Sequence, residues 1–332
     1  MAKLNETNMV QTVGYGEDEY CAAARVKIQN ACQAPEADVH FLVGGTQTNT
    51  TVIAAVLRPW QGVLCADSGH IHVHETGSIE ATGHKVIAMP GTDGKLTPAA
   101  IAAAAAQHCA QPGVYDEHMV LPRMAYISDA TELGTVYTKA ELTALRAACD
   151  AHGMCLYLDG ARLAQALTAA GNDLRPEDLP QLCDAFYIGG TKNGLLFGEA
   201  MVIINDALKP GFRRAMKRSG AMLAKGRLLG VQFAAALEQD LWLDMGRHAN
   251  AQAQRIAAAL SNLGVPMYVP SPTNQIFPIL PDDQIARLQE RVAFHTNTRV
   301  DETHQAVRFV TSWATTDAQV DALLAVLNEV LG

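Results

Sequence analysis

The stretches LYLDGAR (156–162) and YIGGTKNG (187–194) decide the reading of this 332-residue chain. Each is a short apolar and aromatic run that then presents a polar or charged residue, Asp159 in the first and Lys192 in the second. Runs of this kind are buried strands, and open α/β sheets bind ligands outside the carboxyl ends of their strands. One helix and one loop separate the two runs, so Asp159 and Lys192 face one crevice from neighbouring strand ends. A buried amine near a buried carboxylate invites a cofactor between them. The alternative is a structural salt bridge, since ion pairs also occupy such positions.

Working outward, the same rhythm runs from about residue 40 to 206. VLCAD (63–67), KVIAMP (85–90), MVLPRMAYIS (119–128), CLYLD (155–159), AFYIGG (185–190) and MVIIN (201–205) alternate with helical patterns. That alternation predicts βαβ units around a mostly parallel sheet. Thr97-Pro98 marks the start of an alanine-rich helix over 99–110, and Thr138 with Glu141 forms a capping box. After Pro210 the rhythm stops, and helices are expected over about 212–240 and 246–262, ended by Gly264 and Pro266. From 267 onward, YVPSPTNQIFPIL, a helix from Asp282, VRFVTSW and a helix capped at Thr316 with Gln319 read as a small α+β unit.

Composition excludes several classes of function. At 49% hydrophobic, 18% charged and 6% aromatic, the chain is ordinary globular material, long enough for a sizeable core. The excess of 34 acidic over 25 basic residues, a net charge of -9, is the wrong sign for a nucleic-acid binder. The start, MAKLNETNMVQ, has neither the basic region nor the apolar stretch of a signal peptide, and AIAAAAA (100–106) is too short to cross a bilayer, which implies a cytoplasmic setting without a membrane. Seven cysteines, at 21, 32, 65, 109, 149, 155 and 183, include no CxxC pair and disfavour both a disulfide framework and a zinc site.

The chain resembles the pyridoxal-phosphate enzymes of fold type I, the aspartate aminotransferase-like fold, and within them the threonine aldolase and β-eliminating lyase branch. The resemblance covers nearly the whole chain. It rests on VGYGEDEY (13–20), FLVGGTQTNTTVI (41–53), SGHIHVHETGS (68–78), LDGARLAQA (158–166), GGTKNG (189–194) and VRFVTSWATT (307–316), in the family's order and approximate spacing. It implies an N-terminal segment (1–30), a large cofactor-binding α/β domain (31–235) with a mostly parallel seven-stranded sheet sandwiched by helices, and a small C-terminal α+β domain (236–332).

What the resemblance implies can be checked against what each residue type can do. Lys192 is the lysine that carries pyridoxal 5'-phosphate, and its amine must be neutral to attack. Asp159 accepts a hydrogen bond from the protonated pyridine nitrogen, although it also fits as an N-cap for a helix over 160–170. Gly44, Gly45 and Thr46, between a strand and a helix beginning near Gln47, cradle the phosphate, with Thr191 a further phosphate or backbone contact. His70 stacks on the ring and is a candidate base or water-positioner for the substrate's β-hydroxyl. With His72 and His74 it alternates along a segment read as extended, where the three would share a face like a metal cluster; the cofactor reading already uses His70, and no metal is expected. His74 stands where threonine aldolases often carry a tyrosine, next to the substrate side chain. Arg162 faces the cofactor's phenolic oxygen or the substrate carboxylate, and Arg308 clamps that carboxylate. Arg227 resembles an arginine that reaches the phosphate of a neighbouring subunit, which implies a homo-oligomer with its site at the interface.

The chain departs from the family pattern in two places. A segment bearing a serine near the substrate carboxylate usually precedes the tract equivalent to KLNETN (3–8). Where better-known members have a His-Asn pair, this chain reads SDATELGTVY (128–137), leaving Thr131 or Glu132 to shape the pocket. The expected activity is cleavage of Cα–Cβ in a β-hydroxy-α-amino acid such as L-threonine or L-allo-threonine, giving glycine and an aldehyde. The alternatives are β-elimination through Cα–H, with loss of a β-leaving group, or cofactor binding with little turnover if the N-terminal substrate segment is missing.

Overall fold

In the computed structural model, residues 1–111 and 113–332 are described. The large sheet contains β1 (Asp38–Leu42), β2 (Gln61–Ala66), β3 (Val86–Met89), β4 (Leu121–Ser128), β5 (Cys155–Asp159), β6 (Ala185–Gly189) and β7 (Glu199–Ile203). Its seven strands lie in the order β1-β7-β6-β5-β4-β2-β3. From β6 to β3 the neighbours are parallel, whereas β7 runs antiparallel to both β6 and β1. The mostly parallel sheet inferred from the apolar runs is therefore present, and its one reversed strand matters to the site. A reversed strand begins where its neighbours end, so Glu199, the first residue of β7, stands in register with Leu42 and Gly189 at the carboxyl edge.

The strands are apolar on both faces because helices cover both. Leu156, Leu158, Phe186 and Ile188 point into one core layer, and Tyr157, Ala185 and Tyr187 into the other. On the first side lie the helices Glu19–Ala31, Lys139–His152 and Arg227–Ala236; Gly45–Val56 and Phe212–Arg218 lie on the second. A separate core built from Ala253, Ile256, Leu260, Val307, Phe309 and Leu327 holds the small domain, in which the strand His304–Val310 pairs with three short strands.

Several predicted boundaries move. The helix expected over 212–240 divides into Phe212–Arg218 and Arg227–Ala236, with Gly220 between them at φ +67°. The next helix starts at Leu241 instead of 246 and runs to Asn262. Its first turn gives Trp242 to the large-domain core, and its later turns give Ala253, Ile256 and Leu260 to the small one. The alanine-rich helix ends at Gln107, followed by a hairpin of Cys109–Gln111 with Val114–Tyr115. No helix among the described residues is long and apolar enough to cross a membrane.

Candidate functional site

At the carboxyl edge of the sheet, Gly45, Thr46, Asn49, His70, Ser128, Glu132, Asp159, Arg162, Thr191, Lys192 and Glu199 line a cavity of about 220 Å³. A larger surface hollow, of about 560 Å³ beside Ala105 and Arg123, contains none of the candidate catalytic or binding residues.

The turn after β6 holds Lys192. Gly190 N–H donates to Glu199 Oε2 at 3.0 Å and Thr191 Oγ1 accepts from Gly198 N–H at 3.0 Å, while Asn193 Nδ2 donates to Trp242 O at 2.7 Å. A Cβ on Gly190 would lie 2.6 Å from Gly198 O, so this close return of the chain requires glycine. The Lys192 side chain is open to the cavity but flanked by protein, and it makes no ion pair among the described residues. Desolvation, and then the Arg162 charge, hold its amine below the usual lysine range.

Asp159, at the end of β5, is buried and bonded from several directions. Asn49 Nδ2 donates at 2.9 Å, Tyr126 Oη at 2.6 Å and Ala161 N–H at 3.0 Å, and Tyr187 Oη donates as well. The Ala161 contact closes a local turn rather than a helix cap, because the helix predicted over 160–170 reduces to Leu163–Leu167 with Arg162 before it. Asn49 also donates to Glu75 Oε1 at 2.8 Å and accepts from Tyr157 Oη at 2.8 Å.

His70 is bound into the same network. Its Nδ1 meets Glu75 Oε1 at 2.8 Å, and Ser78 Oγ donates to Glu75 Oε2 at 3.0 Å. Burial pulls the imidazole pKa down, but the hydrogen bond to Glu75 and the charges of Asp159 and Glu75 outweigh it, so the pKa is raised from 6.5. The segment expected to be extended here is a helical turn, His70–Val73. The two outer rings therefore come together, His70 and His74 lying 5.5 Å apart between centroids, and the face shared by all three histidines does not form. His74 is exposed beyond the cavity wall.

The helix predicted to begin near Gln47 begins at Gly45, with Gly44 as its N-cap. A Cβ on Gly44 would meet nothing within 4 Å, and one on Gly45 would meet Tyr187 Oη at 3.1 Å. Gly45 and Thr46 thus present the first turn of this helix to the cavity, where unbonded N–H groups favour an anion.

Arg162 and Arg308 come from different domains. Burial, and then the Arg308 charge, lower the Arg162 pKa, and burial lowers that of Arg308. The Nε of each is enclosed without a partner among the described residues, and Arg308 Nη1 reaches Gln275 Oε1 only at 3.4 Å. Two adjacent guanidiniums with unused donors are suited to a carboxylate. Arg227 is elsewhere: it is buried, its Nη1 donating to Thr7 Oγ1 at 3.0 Å and its Nη2 to Asn8 O at 3.3 Å.

Sequence reasoning missed Asn49, Glu75, Ser128 and Glu199 as site residues. Glu75 and Asn49 fell inside quoted motifs, and an acid at the head of the apolar run EAMVI is itself a signal. Burial pushes the Glu199 carboxyl up to about 8.

A lysine and an aspartate at adjacent strand ends, before a helix start open to an anion, define the pyridoxal-phosphate class of the aspartate aminotransferase-like fold. An aspartate aminotransferase from Thermus thermophilus shares that fold, with a TM-score of 0.69 at 16% identity over 99% of this chain and 91% of the other. The chain belongs to the beta-eliminating lyase family, whose model matches residues 1–282. A low-specificity L-threonine aldolase of Pseudomonas aeruginosa is 30% identical over 100% of this chain and 94% of that protein. The structure of a Leishmania major threonine aldolase superposes with a TM-score of 0.95 at 44% identity, covering 99% of this chain and 94% of the other.

Proposed function

We propose that the protein is a low-specificity threonine aldolase, a carbon–carbon lyase that splits β-hydroxy-α-amino acids into glycine and an aldehyde with pyridoxal 5'-phosphate. The observation that carries this reading is one cavity joining an amine held below its usual pKa, a fully hydrogen-bonded acid and the Arg162 guanidinium, behind which the Arg308 charge stands, each arginine with an unused Nε donor. Matches to threonine aldolases along the whole chain support it.

The residues present fit the cofactor: a reachable amine, an anion-ready helix start and a buried acid all open on the same space. When bound, pyridoxal phosphate supplies an electron sink for the bond broken at Cα. Lys192 supplies the amine that holds it. Asp159, fixed by Asn49, Tyr126 and Tyr187, keeps the proton on the ring nitrogen. Gly44, Gly45, Thr46 and Thr191 take the phosphate. His70 would pack on the ring and attend the substrate's β-hydroxyl, and His74, exposed beside it, would meet the part of the substrate side chain that extends past the cavity. Arg162 and Arg308 would bind the α-carboxylate and so hold the substrate in one orientation, which is how the chain's own residues would select the bond at Cα that breaks.

The large domain is assigned to 31–235 and the small one to 236–332, after the N-terminal segment 1–30. The assembly is a homo-oligomer in the cytoplasm. A contact from Arg227 to a neighbouring subunit's phosphate requires the segment bearing Thr7 and Asn8 to give way.

The test is a product assay on purified protein loaded with pyridoxal phosphate. L-Threonine is expected to give acetaldehyde and glycine, and Lys192→Ala to abolish turnover. The family's name makes β-elimination the competing reading; pyruvate and ammonia formed from serine or cysteine, with no aldehyde from threonine, would establish it instead.

A further inference from the structure

The cavity contains an acid that this reading leaves without a role. Glu132 lies on the loop after β4, and its Oε1 accepts from the His70 backbone N–H at 3.0 Å and from Ser128 Oγ at 2.6 Å. Its Oε2 has no hydrogen-bond partner among the described residues, and the residue lines the cavity. The other acids differ. Both oxygens of Asp159 are taken by Asn49, Tyr126, Tyr187 and Ala161, and both oxygens of Glu75 by Asn49, His70 and Ser78. Glu199 Oε1 is likewise without a hydrogen-bond partner among the described residues, but Glu199 belongs to the lysine turn, its Oε2 accepting from Gly190 N–H, whereas Glu132 is bonded to His70.

With the α-carboxylate on Arg162 and Arg308 and the amine toward Lys192, the substituents of Cβ fall to the remaining wall, where His70 and Glu132 stand. His70 is poorly placed to accept a proton, because its Nδ1 is committed to Glu75 and the surrounding acids favour its charged form. We propose that Glu132 is the catalytic base that takes the proton of the substrate's β-hydroxyl, with His70 holding the same oxygen as a hydrogen-bond donor.

In this step the O–H bond breaks and its proton goes to Glu132 Oε2. The O–H electron pair becomes the second bond of the aldehyde carbonyl, and the Cα–Cβ pair stays with Cα. Cα then takes up one proton, and Glu132 returns its own to solvent, so the cleavage is proton-neutral and redox-neutral. The charged and titratable groups facing Glu132 are Asp159, His70, Arg162 and Lys192, with the neutral Cys65, Tyr126 and Tyr137 also within its field. Desolvation raises the Glu132 carboxyl above the ordinary range, toward the operating pH where a base works best.

The inference rests on the aldolase reading, and one set of measurements separates the two. Glu132→Gln and Glu132→Asp are compared with the wild-type holoenzyme in aldehyde release from L-threonine, in exchange of the glycine Cα proton with D2O, and in the visible absorption of the bound cofactor. Glycine has no β-hydroxyl, so its exchange does not need Glu132. For Glu132→Gln, aldehyde release is expected to fall about 10²- to 10⁴-fold in kcat, with partial recovery in Glu132→Asp. KM, glycine exchange and the cofactor spectrum should stay within about threefold of wild type. The acid limb of kcat/KM should shift in Glu132→Asp and disappear in Glu132→Gln. Equal loss of release and exchange, or unchanged aldehyde release, overturns the role of Glu132. If the wild type exchanges glycine but yields no aldehyde from threonine, the aldolase reading fails and this inference falls with it.

Discussion

Arg308 shows what one residue contributes when its neighbours leave it unpaired. Its guanidinium sits near that of Arg162, and the charge-assisted bonds it lacks among the described residues are those a carboxylate provides. Losing such bonds costs about 1.5–3 kcal/mol, so Arg308→Ala should raise KM for the amino acid roughly 10- to 100-fold while cofactor absorption is unchanged; steady-state kinetics with a spectrum of the loaded variant checks both parts. Glu199 makes a different prediction. Its carboxyl is held at about 8 in the fold against an ordinary value of 4.5. The folded protein therefore binds a proton that the unfolded chain has released between those values, so this group's contribution to stability is full below pH 4.5, declines as pH rises and is lost above about 8. Glu199→Gln, which keeps the shape of the neutral acid, should flatten this decline in denaturant midpoints of the cofactor-free protein measured from pH 5 to 9.

At the scale of elements, legibility followed the range of the interactions. Asp159 and Lys192 were readable because a buried strand announces itself in its apolar run and the sheet edge follows from βαβ connection. The capping box at Thr138 was equally readable, since it is local: Glu141 N–H donates to Thr138 Oγ1 at 3.2 Å and Thr138 N–H to Glu141 Oε2 at 2.7 Å. Thr138→Ala should cost about 1 kcal/mol, visible as a lower denaturation midpoint with unchanged kcat. The turn at His70–Val73 was misread, because alternating histidines on a short segment fit a strand period. Its closure is local, His74 N–H donating to His70 O, but its first N–H is held by Glu132 Oε1 from 62 positions away. The partners of Asp159 were hidden for the same reason, as Asn49, Tyr126 and Tyr187 reach it from other elements.

Across the whole molecule, the helix Leu241–Asn262 ties the two cores together, with Trp242 in one and Ile256 in the other. It crosses Leu163–Leu167 at Gly246, where an added Cβ would come 2.6 Å from Ala164 O. That contact fixes how the small domain sits on the large one, and so where Arg308 stands relative to Arg162. The helix is a lever arm with its fulcrum at a single glycine, so a methyl group added there is felt at the far end of the lever. Gly246→Ala should therefore weaken amino-acid binding while sparing the cofactor, and calorimetry with glycine on the loaded variant would detect the change. Selection on substrate affinity can in this way act on a residue that touches neither substrate nor cofactor.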